Sequence, residues 1–91
     1  MNTQEKKGLI PLCYRAGLTI EATSRLLVDK QLVQAHWNEP ELKRRLSSLE
    51  KQRAMPRLVQ ALHAAGKKDT EISRFCGLSQ RTVLMMLVRE L

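Results

Sequence analysis

Aromatic residues are scarce in this 91-residue chain, which holds one Trp, one Tyr and one Phe although 43% of it is hydrophobic. A core must then be built from Leu, Val, Ile, Met and Ala. That suits packed helices better than a β-sandwich, which draws on Val, Thr, Tyr and Phe. Long apolar runs are missing too. None approaches the ~18 residues of a membrane span. The apolar stretch within "MNTQEKKGLIPLCY" is too short for a secretion signal. Cysteine is limited to Cys13 and Cys76, which read as buried free thiols of a cytoplasmic protein. Neither these two nor His36 and His63 fall at ligand-like spacing, so no metal site and no Cys–His pair is expected. No carboxylate pair, nucleophile–base set or phosphate-cradling Gly loop stands out. The chain is therefore not expected to be an enzyme, nor to carry a cofactor or a small-molecule ligand.

Charge, by contrast, is plentiful and uneven. The net charge is +7. Residues 1–42 hold five basic and five acidic side chains, whereas residues 43–91 hold eleven basic and four acidic ones. The whole excess lies in the second half, as a polyanion-binding face predicts. A solvated basic surface that only maintains solubility is the plainer account.

The pattern along the chain is that of one all-α domain, 1–91, a small bundle of about five to six helices. "MNTQEKKG" is polar and predicts a frayed start. Pro11 suits an early helical position, "PLCYRA" follows, and Gly17 stops it. Thr19 caps a long helix, "IEATSRLLVDKQLVQAHW", with Ile20, Thr23, Leu26, Leu27, Val33 and Trp37 on one broad face. Asn38, Pro40 and Glu41 form a capping-box start for "LKRRLSSLEKQR". There Leu42, Leu46 and Leu49 make one stripe. Pro56 predicts a break at Met55. A further helix, "PRLVQALHAA", turns Leu58, Val59, Leu62 and Ala65 inward and ends at Gly66. Asp69 caps "TEISRFC", Gly77 ends it, and Ser79 caps "QRTVLMMLVREL".

An internal echo joins the two halves. Leu9, Ala16, Gly17, Ser24, Arg25 and Gln31 match Leu58, Ala65, Gly66, Ser73, Arg74 and Gln80. Two unrelated helices ending in "AG" explain it as simply as a duplicated hairpin would. Val28 stands opposite Gly77, so a first copy is expected to lack the tight turn. Whether residues 9–33 are a degenerate second copy stays open at this point.

The stretch from Asp69 to Met86 resembles the helix-turn-helix of bacterial, plasmid and phage DNA-binding regulators. Ile72 is the core-facing residue of its first helix. Ser73 is small where the two helices cross. Cys76 precedes the turn, Gly77 supplies positive φ, and Leu78 plugs the corner. Ser79 caps the second helix, which buries Val83 and Met86. The resemblance covers about 20 residues, or about 35 with the supporting helix. It implies a C-terminal tri-helical core over 56–91, with residues 1–55 as support or dimerisation helices.

The resemblance also implies a function: a sequence-specific double-stranded DNA-binding transcription regulator, a repressor, acting as a homodimer on a palindrome. Gln80 and Arg81 would meet base edges, Thr82 a thymine methyl or phosphate, and Ser79 a phosphate. Lys67, Lys68 and Thr70 would hold phosphates from the start of the motif, and Arg89 from its far end. Lys43, Arg44, Arg45, Lys51, Arg53 and Arg57 form a second basic set, either a solvated face or flanking backbone contacts. Arg74 is expected to pair with Glu71 or Glu90. One feature departs from the pattern. Leu84, Met85, Leu87 and Val88 are too apolar for one buried stripe. They pack on the N-terminal helices, form a dimer interface, or dock a protein partner. The competing function is accordingly a helical interaction module, an adaptor or anti-activator, docking through its C-terminal helix. A shape-reading RNA binder is the third, since Phe75 alone in the basic half gives little for base stacking.

Overall fold

The computed structural model describes residues 2–37 and 47–88. They form an all-α bundle of six helices, with no strand among the described residues. The order is α1 Thr3–Arg15, α2 Ile20–Leu27, α3 Lys30–Trp37, α4 Ser48–Ala64, α5 Asp69–Cys76 and α6 Gln80–Val88. None is long and apolar enough to cross a membrane.

Several boundaries differ from the sequence-based expectation. α1 starts at Thr3 rather than at Pro11, because the Asn2 side chain caps it by accepting from the Glu5 N–H at 2.9 Å. Pro11 therefore sits inside the helix. The single helix expected over 20–37 is two helices, parted at Val28 and Asp29. α4 runs unbroken through Pro56. The capping box at Asn38, Pro40 and Glu41 lies outside the described residues.

The two internal prolines share a reason. Each removes a backbone donor, and the carbonyl four residues earlier belongs to Lys7 or Gln52, both exposed, so water can take that acceptor's place. In α4 the buried Ala54, Leu58, Val59 and Leu62 continue one face across Pro56. Their burial outweighs the local penalty. Pro56→Ala is expected to raise the unfolding free energy by about 2 kcal/mol. Restoring the helix interior is worth ~3 kcal/mol, less up to ~1 kcal/mol of lost proline restraint on the unfolded chain. A urea titration checks it, and a destabilised variant would contradict the account.

The six described helices run through one three-helix pattern twice. α5 repeats α2 at an interval of 49 residues, Ile20 to Asp69 and Leu27 to Cys76. The turns before them are left-handed at Gly17 (φ +87°) and Gly66 (φ +90°). The turns after them are left-handed at Val28 (φ +52°) and Gly77 (φ +70°). Thus the first copy has the tight turn after all, made by a valine. Asp29 N–H donates to the Ser24 carbonyl just as Leu78 N–H donates to that of Ser73. Beyond the turn the interval becomes 50. Asp29 caps α3 by accepting from Leu32 N–H, and Ser79 caps α6 by accepting from Thr82 N–H, both at 3.1 Å. Val33 and Val83 are both fully buried. Gln31 therefore corresponds to Arg81, and the Gln31–Gln80 match in the sequence is one residue out of phase.

Like packs on like between the units: α1 lies on α4, and α2 on α5. The shared core holds Leu9, Ile10, Cys13, Leu26, Leu27 and Val33 from the first unit and Leu58, Val59, Leu62, Ile72 and Val83 from the second. Tyr14 and Trp37 meet edge to face at 5.1 Å and tie α3 to α1. The apolar faces of α1, α2 and α3, in the half expected to support or dimerise, are thus largely buried within one chain. In that half, among the described residues, Val28 and Leu49 remain as exposed large apolar side chains.

Val28 and Gly77 form a natural pair for testing the turns. Left-handed backbone costs a β-branched residue ~1–2 kcal/mol, and Val28 is 76% exposed, so packing gives little back. Val28→Asn is expected to stabilise by about 1 kcal/mol. Gly77→Val is expected to keep the fold and to cost about 1–2 kcal/mol through the backbone alone. A Cβ at Gly77 would meet nothing within 4 Å. Equal melting of Gly77→Val and the parent would contradict the turn assignment.

Candidate nucleic-acid interface

α5, the Gly77 turn and α6 place the residues singled out above. Ile72 is buried, and the Ser73 hydroxyl donates to the Leu78 carbonyl at 2.6 Å, closing the corner. Leu78 packs half-buried against the core. Val83 is fully buried, Met86 and Leu87 pack beside the core, and the Gln60 side chain donates to the Met86 carbonyl at 3.3 Å. α6 is therefore fixed along its inner side, and its first turn is free to face outward.

Gln80 and Arg81 are exposed at the start of α6. Neither has a hydrogen bond or ion pair among the described residues. Ser79 Oγ caps the Thr82 N–H and lies 2.8 Å from Thr82 Oγ1, so both hydroxyls are committed to the helix start. Lys68 and Thr70 are exposed. Lys68, not Asp69, is the N-cap residue of α5, and its side chain makes no capping bond. Asp69 is the first helical residue, where a carboxylate favours the helix dipole, and it lies 3.7 Å from His63 Nδ1. Lys67 is turned along α5 with Nζ 3.8 Å from Glu71, a carboxylate that competes with any phosphate for its charge. Arg74 makes no ion pair with Glu71. Its guanidinium lies 5.6 Å from the Phe75 ring centre. Arg89, Glu90, Lys43, Arg44 and Arg45 lie outside the described residues.

The exposed side of α6 is mostly apolar. Arg81, Leu84, Met85 and Val88 recur at the i, i+3, i+4, i+7 spacing of one helical stripe and face a common shallow groove. Leu84, Met85 and Val88 are 50%, 51% and 64% exposed. Of the three fates expected for the apolar residues, packing within the chain holds for Leu87 and fails for these three.

A basic feature not foreseen as a unit lies between α1 and α4. Arg15, Arg53 and Arg57 border one groove with Leu12, Glu50 and Ala54. The three arginines make no ion pair among the described residues. Arg15 escaped notice because it stands in the charge-balanced half, and packing of α1 on α4 brings it in. A larger groove of about 820 Å³ has an apolar floor of Ile20, Val28 and Phe75, with Lys30 and Gln34 on its wall. Its charged rim is largely self-neutralised, Arg25 by Glu21 at 3.0 Å and Asp29 by Lys6 at 3.6 Å.

Both cysteines are reduced and buried. Burial pushes the Cys13 thiol up to about 12 and the Cys76 thiol up to about 11, so at neutral pH neither offers a thiolate nucleophile. No group of three His, Cys, Asp or Glu side chains is placed to hold a metal among the described residues. Comparison with family models, curated proteins and solved structures finds no match to this chain.

Proposed function

We propose that the protein is a sequence-specific double-stranded DNA-binding regulator, a repressor of bacterial, plasmid or phage type acting in the cytoplasm as a homodimer on a palindromic site. The observation that carries this reading is the pair Gln80 and Arg81. Both are exposed, with side chains that have no partner among the described residues, at the start of a helix held by buried Val83 behind a left-handed glycine turn. An Arg there can fork onto guanine and a Gln onto adenine. Lys68, Thr70 and, more weakly, Lys67 are the phosphate contacts on the same motif, with Arg53 and Arg57 as flanking ones. Selection of bound sequences from random duplex DNA tests binding, specificity and symmetry together. A reproducible motif is expected, and recovery of unenriched sequence would remove the reading.

A second reading is favoured by the stripe of Leu84, Met85 and Val88. A helix with two apolar sides, one buried and one exposed, fits a module that docks a partner helix. Such docking changes little with salt, whereas binding through phosphates weakens steeply.

A further inference from the structure

We propose that α3 is a second DNA-reading helix, one that contacts adenines through Gln31 and Gln34. The inference rests on the DNA-binding reading and extends it to a surface in the charge-balanced half of the chain.

The repeat supplies the first argument. α3 follows a left-handed turn and a capping side chain, as α6 does, and is seated on the core by Val33 as α6 is by Val83. With the phase corrected by one residue, Gln31 takes the place of Arg81, Gln34 that of Leu84, and Ala35 that of Met85. The outward stripe that is apolar on α6 is polar and small on α3. Gln31, Gln34 and Ala35 are all exposed, with Lys30 beside them. Neither glutamine has a hydrogen-bond partner among the described residues. A glutamine amide offers the donor–acceptor pair that matches the N6 and N7 edge of adenine in the major groove, and a neighbouring alanine lets the helix approach closely.

Charge does not oppose the contact. Among the described residues, the acids of α2 and of the turn before α3 are neutralised locally, Asp29 by Lys6 at 3.6 Å and Glu21 by Arg25 at 3.0 Å. Lys30 is left without an acidic partner among the described residues. A face with so little net charge adds selectivity rather than general affinity, because phosphates supply affinity and base edges supply sequence.

The test is selection from random duplex DNA with the full-length parent, Gln31→Ala/Gln34→Ala, Gln34→Arg and Arg81→Ala, with melting curves for each. The expected parent motif includes A·T pairs whose preference falls about 5- to 100-fold in the double variant. Its melting point and the salt dependence of its binding should not change. Gln34→Arg is expected to convert one of those pairs to G·C, a gain that misfolding cannot mimic. If both α3 variants keep the parent motif while Arg81→Ala erases it, the inference is overturned and DNA reading by α6 stands. If the parent enriches nothing, both are overturned.

Discussion

Leu58→Ala is expected to lower the unfolding free energy by about 3 kcal/mol while leaving a single cooperative transition. Leu58 is fully buried on α4, the helix that packs on α1 of the other unit and on α5 and α6 of its own. Truncation of a buried leucine costs ~2–5 kcal/mol, the transfer of the lost methyl groups plus the cavity they leave. A domain of this size is stable by only ~5–14 kcal/mol, so the loss is a large part of the total. One transition is expected because the two units share one core. Urea unfolding followed by two probes checks both points. Separate transitions for the two halves would contradict the shared core.

Arg81→Ala is expected to lose ~1–3 kcal/mol on the selected DNA site and little on scrambled duplex. The exposed guanidinium has no partner to lose within the described residues, so folding should be unaffected. Lys68→Ala is expected to weaken both DNAs alike and to lower the salt slope by about one unit. Lys67→Ala is expected to do less, because its ammonium already lies near Glu71. Parallel titrations of specific and scrambled duplexes measure the division. An unchanged specific-to-scrambled ratio for Arg81→Ala would shift the account to partner docking through Leu84, Met85 and Val88.

Local punctuation made much of this fold legible in the sequence. Thr19 and Ser79 cap where expected, and Gly17 and Gly77 take the left-handed conformation. What the sequence hid has physical causes. Val28 is β-branched and disfavours the left-handed turn it adopts, so a split helix reads as one. Val28 standing opposite Gly77 in the echo spoke against a turn there, and the capping by Asp29 shows only in the structure. Pro56 reads as a stop, but the apolar face from Ala54 to Leu62 overrides it. The repeat itself was half visible. Its match at Gln31 and Gln80 came from a turn one residue shorter in the first unit, and only the caps and the buried valines reveal the true phase. Of the candidate site, Gln80 and Arg81 were legible as exposed residues at a helix start. The grouping of Arg15 with Arg53 and Arg57 was not, because it depends on α1 packing against a helix far away in sequence.

Binding of the full chain to duplex DNA, titrated from ~50 to ~200 mM salt, tests the central claim most directly. The account predicts that the logarithm of the binding constant falls linearly with the logarithm of salt, with a slope of about −3 or steeper. Each neutralised phosphate contributes ~0.9 to that slope, so such a value means at least three contacts. Absent binding, or binding that does not change with salt, would contradict it.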